Sequence, residues 1–425
     1  MSSAKPFPFL CGAATSSHQV EGGNNANDWW DWEVSGRLPF PSGEACRQFV
    51  RYAEDMELAA KLGHNAHRIS VEWSRIEPEE NRWNEEALRH YQNVVREIRR
   101  RGMEPVVTLH HFTNPMWFSR KGGWLSSDAV RDFERFTRKT VEFLGRDVRL
   151  WITINEPMVY IYKGFFEGAW PPGIQSAHSS LTVLRNMLVA HTRAWWVIHR
   201  GREETQTGPV WVSLAKHLIQ FDPCRRHLKR DRIMTGLRDW FFNDMVLESL
   251  TNGYFFLPGF AAEFLPFRDT LDYIGINYYF RDFIRFDRMT EKDPLGEICD
   301  KTHHQSDITG TTQMGWEVRP EGLYERLLAL RRYQKPVLIT ENGIATLDES
   351  QRERYIMDHL SYVAQAAREG VDVWGYLYWS LLDNFEWDKG YAPRFGLVAV
   401  EPDGTRRIKS SAHVLTESCR KLFPR

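Results

Sequence analysis

Eight short, apolar, β-rich runs recur along this 425-residue chain, and longer stretches with helical apolar spacing separate them. The runs lie at 9–14, 66–71, 105–110, 150–154, 209–215, 272–277, 336–340 and 373–379. Amphipathic patterns cover 87–100, 128–143, 180–198, 321–333 and 350–368. Strands alternating with helices form βαβ units, and eight of them predict a parallel sheet closed as a barrel. Length alone would allow about three domains, but α/β barrels reach this size once their loops are elaborated. No short-period repeat or low-complexity linker interrupts the alternation. The expected fold is therefore α/β, a single (β/α)8 barrel over residues 1–425 with elaborated βα loops.

Composition narrows the function. Hydrophobic residues make up 42% and charged residues 26%, enough for a large core and too apolar for a disordered chain. A net charge of −1 gives no electrostatic reason to expect nucleic acid or an anionic membrane as partner. Arg99-Arg100-Arg101 and Arg225-Arg226 with Lys229-Arg230 read as solvated faces. No apolar run approaches a membrane span. The stretch Phe7-Pro8-Phe9-Leu10 belongs to the first strand, so no secretory signal is expected and the expected compartment is the cytoplasm. The cysteines (11, 46, 224, 299, 419) are odd in number, scattered and without a C-x-x-C, which predicts reduced thiols and neither a disulfide framework nor a zinc site. No metal and no cofactor are expected.

Two glutamates end two of the apolar runs. Glu156 stands in Thr153-Ile154-Asn155-Glu156-Pro157 and Glu341 in Ile339-Thr340-Glu341-Asn342-Gly343, 185 residues later. A lone Glu at a strand end is usually a cap or a salt-bridge partner. Two in matching positions point elsewhere, because paired carboxylates are what glycosidic bond cleavage requires. By strand count they close the fourth and seventh strands, at the carboxyl face where barrels carry their chemistry.

The two tags resemble the acid/base and nucleophile signatures of glycoside hydrolase family 1, the β-glucosidase family. The likeness runs from Cys11-Gly12-Ala13-Ala14-Thr15-Ser16-Ser17-His18-Gln19-Val20-Glu21-Gly22 to Asp383-Asn384-Phe385-Glu386-Trp387 and Arg394-Phe395-Gly396-Leu397. It implies a retaining exo-β-glycosidase acting on small β-glycosides or short oligosaccharides, most simply a β-glucosidase with β-galactosidase or β-fucosidase side activity. It implies Glu341 as nucleophile and Glu156 as acid/base. Retention requires the two carboxyls about 5–5.5 Å apart. A neighbouring anion is expected to raise the pKa of Glu156, while cationic or hydrogen-bonding groups keep Glu341 ionised.

The resemblance assigns further residues. Arg68 would steady the nucleophile, although a structural salt bridge is an equal reading without the family. Asn155 would bond the sugar 2-hydroxyl, and Asn277 and Tyr279 fall in a matching tag, with Tyr279 donating to the nucleophile. Neighbours on a strand face opposite ways, so one of Tyr278 and Tyr279 serves the site and the other is core. Gln19, His111, Glu386 and Trp387 would hold the far edge of the sugar. Trp379 would stack beneath the ring, and Trp316 would line the leaving-group side.

His110 and His111 are adjacent on a strand and do not converge on one ion. His64 and His67 read as packing or surface residues. Phe112-Thr113-Asn114 departs from the family's usual Trp-Asp-Leu and removes an indole donor. The chain is also short for the family, which implies trimmed loops and a more open entrance. A carboxylate at Glu386 should repel a 6-phosphate, which favours unphosphorylated β-glucosides. Two alternatives stand beside hydrolysis: a predominantly transglycosylating enzyme of the same fold, and a sugar-binding barrel without catalysis.

Overall fold

A computed structural model describes residues 5–256, 262–290, 293–300, 302–304 and 310–424. Eight parallel strands form its centre: β1 Leu10–Ala14, β2 Ala66–Ser70, β3 Glu104–His110, β4 Leu150–Asn155, β5 Trp211–Pro223, β6 Ile274–Arg285, β7 Val337–Asn342 and β8 Val373–Trp379. Each pairs with the next, β8 pairs with β1, and the β6–β7 pairing closes the ring. The expected barrel is present, with every predicted strand within a few residues of its expected start.

Side chains alternate across each strand, and the two faces meet different partners. Leu10, Val106, Leu150, Ile152 and Leu338 pack with Phe7, Tyr273 and Trp374 in one apolar cluster inside the ring. Val107, Trp151 and Ile339 point the other way into the larger core beneath the helices. Helix Glu85–Arg100 shows the sequence logic. Asn84 caps it by accepting from the Ala87 amide at 3.1 Å, and Leu88, Tyr91, Val95 and Ile98 form its buried stripe. Helix Glu349–Arg368 begins in the same way, with Asp348 accepting from the amides of Ser350 and Gln351.

The largest departure from the expected strands is at β5 and β6, which run on past the barrel as far as Pro223 and Arg285. A short strand, Glu297–Ile298, adds antiparallel to the far end of β6. Polar residues interrupt the apolar pattern here, yet they are paired. Arg281 is buried and bonds Glu317 at 2.6 and 2.8 Å and Asp222 at 2.8 Å.

Candidate active site

Two strand irregularities aim the glutamates. The register slips between Ile152 and Asn155 on β4 and between Ile339 and Glu341 on β7. A bulge of this kind re-aims the side chains that follow it. Glu156 then leaves the strand with φ +45°, and Pro157 opens a short helix behind it. Both carboxyls are buried.

A continuous chain of hydrogen bonds joins them. Arg68 on β2 donates to Glu341 Oε1 at 2.5 Å and, through its other terminal nitrogen, to Asn155 Oδ1 at 2.8 Å. Asn277 Nδ2 on β6 donates to Asn155 Oδ1 at 3.2 Å and to Glu156 Oε1 at 2.7 Å. Tyr279 Oη donates to Glu341 Oε2 at 2.6 Å. Tyr278 faces outward and donates to the Arg319 carbonyl at 2.7 Å. Thr108 and Thr340 fix the arginine and Asn277 in turn, at 3.0 and 2.7 Å.

The far edge is built from the loops after β1, β3 and β8. Gln19 Nε2 donates to the Phe385 carbonyl at 2.8 Å, to Asn384 at 3.1 Å and to Glu386 at 3.3 Å. His111 meets Asn155 Nδ2 at 3.3 Å, and its ring lies nearly parallel to both Trp379 and Trp387, with centroids 6.0 and 6.2 Å away. His110 points away into a network with Asn114 and Trp124. His64 and His67 are buried, which settles them as packing residues. Phe112, at φ +74°, sits edge-on to Trp170 and Trp387 at 5.2 and 5.3 Å, so it fills an aromatic wall. Trp316 is partly exposed and stacks on Phe280 at 4.9 Å, with Tyr279 at 5.4 Å.

Electrostatics depart from the sequence expectation. Burial pushes Glu156 up, but His217, the Asn277 amide and Arg68 outweigh it and leave this carboxyl below its ordinary value. Burial pushes Glu341 to about 7, with the Glu156 charge adding to the rise and Arg68 and Tyr279 opposing it. The expected order, with the raised carboxyl at Glu156, is thus reversed. The physical cause is His217, whose Nδ1 stands 3.2 Å from Glu156 Oε1, out of line for a hydrogen bond. Sequence reading passed over this residue and its neighbour Lys216. The Lys216 ammonium is buried 4.4 Å from the Phe242 ring centroid, and burial lowers its pKa to about 7. The one available signal was two cationic residue types together inside an otherwise apolar strand. Two carboxyls that act on each other in this way titrate as a dyad and not singly.

Glu386 needs a second correction. It is partly exposed, and desolvation and the Glu341 charge raise it to about 8, against the plain carboxylate expected there. The rise weakens the negative charge expected at this edge. Lys389 pairs with Asp388 at 3.1 Å, and among the described residues no cation bridges to Glu386.

Comparison with known proteins agrees with the barrel. The model of the family Glycosyl hydrolase family 1 matches residues 2–421. Beta-glucosidase A of Thermotoga maritima is 32% identical over 95% of this chain and 95% of its own length. A β-glycosidase structure from Pyrococcus horikoshii superimposes with a TM-score of 0.90 at 40% identity, covering 98% of this chain and 95% of that one. A β-glucosidase structure from Thermotoga maritima in complex with glucoimidazole gives 0.88 at 30% identity, covering 98% and 99%. Against these relatives the chain is nearly full length, so any trimming of its loops is slight. Matched by the family model over nearly its whole length and carrying the barrel of its solved relatives, the chain belongs to glycosyl hydrolase family 1 and is a glycoside hydrolase.

Proposed function

We propose that this β-glycosidase works by double displacement, with Glu341 as nucleophile and Glu156 as acid/base. The observation that carries the reading is the unbroken path Glu341–Arg68–Asn155–Asn277–Glu156, which ties both carboxyls to one rigid frame. Arg68 is permanently charged, and the Tyr279 hydroxyl can only donate to Glu341, so both favour the ionised nucleophile. One proton on the dyad suffices. The productive tautomer places it on Glu156, which gives it to the leaving oxygen while Glu341 attacks the anomeric carbon. In the second half, Glu156 takes a proton from water, the water oxygen attacks the same carbon, and Glu341 leaves with the configuration retained.

Asn155 would bond the 2-hydroxyl, Gln19, His111, Glu386 and Trp387 the far hydroxyls, and Trp379 the apolar ring face. Trp316 would flank the leaving group. Unphosphorylated β-glucosides are the proposed substrates, with β-galactosides and β-fucosides secondary. Phosphate at the sugar's far edge would meet Gln19 and Glu386 with no cation to pair it. The Thermotoga maritima relative's glucoimidazole complex supports a glucose-shaped pocket. The chain is proposed to act as one domain. Its cysteines, free and mostly buried, fit a reducing compartment and hence the cytoplasm.

Azide rescue tests the assignment. Glu341→Gly should regain turnover with azide and release the α-glycosyl azide. Release of a β-azide would mean that the attacking face, and so the nucleophile, is wrong.

A further inference from the structure

The cysteines that look scattered in sequence do not stay scattered in space. Cys224 directly follows β5, and its amide donates to the Ile284 carbonyl of β6 at 2.8 Å. Cys299 directly follows the short strand Glu297–Ile298, and its amide donates to the neighbouring Phe283 carbonyl at 2.7 Å. The far end of β6 is thus clamped on both edges, and the two clamps end in thiols. His304 completes the corner. Its ring stacks on Phe283 with centroids 3.7 Å apart and planes 5° apart, which fixes its orientation. Potential ligand atoms of Cys224, Cys299 and His304 all lie within 4.8 Å of one another.

We propose that Cys224, Cys299 and His304 bind a zinc ion, with the adjacent His303 supplying the fourth ligand. The donor set is soft and nitrogenous, the combination that selects zinc over magnesium or calcium. Zinc–sulfur bonds of about 2.3 Å and zinc–nitrogen bonds of about 2.0 Å place tetrahedral ligands roughly 3.5 Å apart. The cluster therefore needs to contract by about 1.3 Å at most, a shift on the scale of a side-chain rotation. His303 Nδ1 is already 3.4 Å from Cys299 Sγ, and His303 is exposed and free to turn.

Two of the four groups open the site to an ion at the outer edge of β6, since Cys224 is partly exposed and His303 exposed, while Cys299 and His304 are buried behind them. Binding would release the two thiol protons to solvent and leave the Cys224 and Cys299 thiolates on the ion. The ion would pin the β6 extension to the segment leading toward Trp316. Its role is structural, because it touches neither carboxyl of the active site.

The test uses the full chain, reduced and freed of metal by chelation. Titration with Zn2+ against a chromophoric chelator should show one tight equivalent per chain, and Co2+ loading should give thiolate charge-transfer and tetrahedral ligand-field bands. Cys224→Ser/Cys299→Ser should lose both signals while keeping the wild-type circular dichroism. His304→Gln should weaken Zn2+ binding at least tenfold, and Zn2+ should raise the Tm of wild type but not of the double variant. Failure of wild type to compete for Zn2+, equal binding by the double variant, or cobalt bands without thiolate character would each overturn the proposal. So would mass-spectrometric recovery of a Cys224–Cys299 disulfide in protein prepared without added oxidant. Glycosidase activity is not the readout, so this result stands apart from the assignment of Glu341 and Glu156.

Discussion

The two sides of the catalytic frame are built from different materials. Around Glu341, on the β2 and β6 sides, the partners are Arg68 and the Tyr279 hydroxyl, at 2.5 and 2.6 Å. Neither changes charge in the working range of an enzyme. Around Glu156, on the β5 side, stand His217 at 3.2 Å and the buried Lys216, whose pKa burial lowers to about 7. One carboxyl is held by fixed charge and the other lies among titratable groups. The nucleophile must be a carboxylate when it attacks and again when it leaves, and it is a neutral ester in between. The acid/base must lose one proton and regain one in each cycle, and its neighbours set how easily that happens.

The sharpest way to break the comparison is to remove the nucleophile. Glu341→Gly should lower kcat by about a thousandfold or more on every substrate, because the glycosyl-enzyme ester cannot form without its carboxylate. A residual rate well above that, for any leaving group, would mean the two sides have been assigned wrongly.

Glu156→Ala should be selective where Glu341→Gly is uniform. Disaccharides should lose about 10²–10⁴ in kcat/KM, whereas dinitrophenyl glucosides, whose leaving group needs no proton, should lose far less in the glycosylation step. Equal losses on the two substrates would remove the acid from Glu156.

Tyr279→Phe takes one donor from the ionised side and leaves Arg68 in place. A lost hydrogen bond to a charged group is worth about 1.5–3 kcal/mol, so kcat should fall roughly 10- to 100-fold. The loss should be similar across leaving groups, since the defect is on the nucleophile side. A strong dependence on leaving-group acidity would show that Tyr279 serves Glu156 instead.

The smallest effect is on pH. In wild type, kcat/KM should fall as pH rises through about 7, where the dyad loses its last proton. His217 draws Glu156 down. Replacing it with Asn therefore raises the Glu156 pKa, moves the basic limb to higher pH and shifts the proton toward the acid/base. A basic limb that stays in place, or moves to lower pH, would show that His217 does not tune the dyad.

Much of this was legible from residue order. The barrel was readable because each strand run is apolar on both faces, as β4 shows with Leu150 and Trp151 buried on opposite sides. The carboxyl pair was readable because each ends such a run. The order of the two pKa values was not, since it depends on His217, which reaches Glu156 from a neighbouring strand 61 positions away in sequence. The continuation of β5 and β6 was hidden because Arg281 and Asp222 read as loop residues until their mutual pairing is seen. The meeting of Cys224 and Cys299 was hidden for a similar reason: spacing along a chain carries no information about thiols brought together by strand register.

One experiment tests the central claim most directly. The enzyme should be incubated with a 2-deoxy-2-fluoroglucoside carrying an activated leaving group, digested, and sequenced by mass spectrometry. The account predicts a single fluoroglucosyl ester on Glu341, within the peptide Val337–Asn342, formed as activity is lost and released as activity returns on reactivation. A stable adduct on Glu156, or inactivation with no covalent adduct at all, would contradict it.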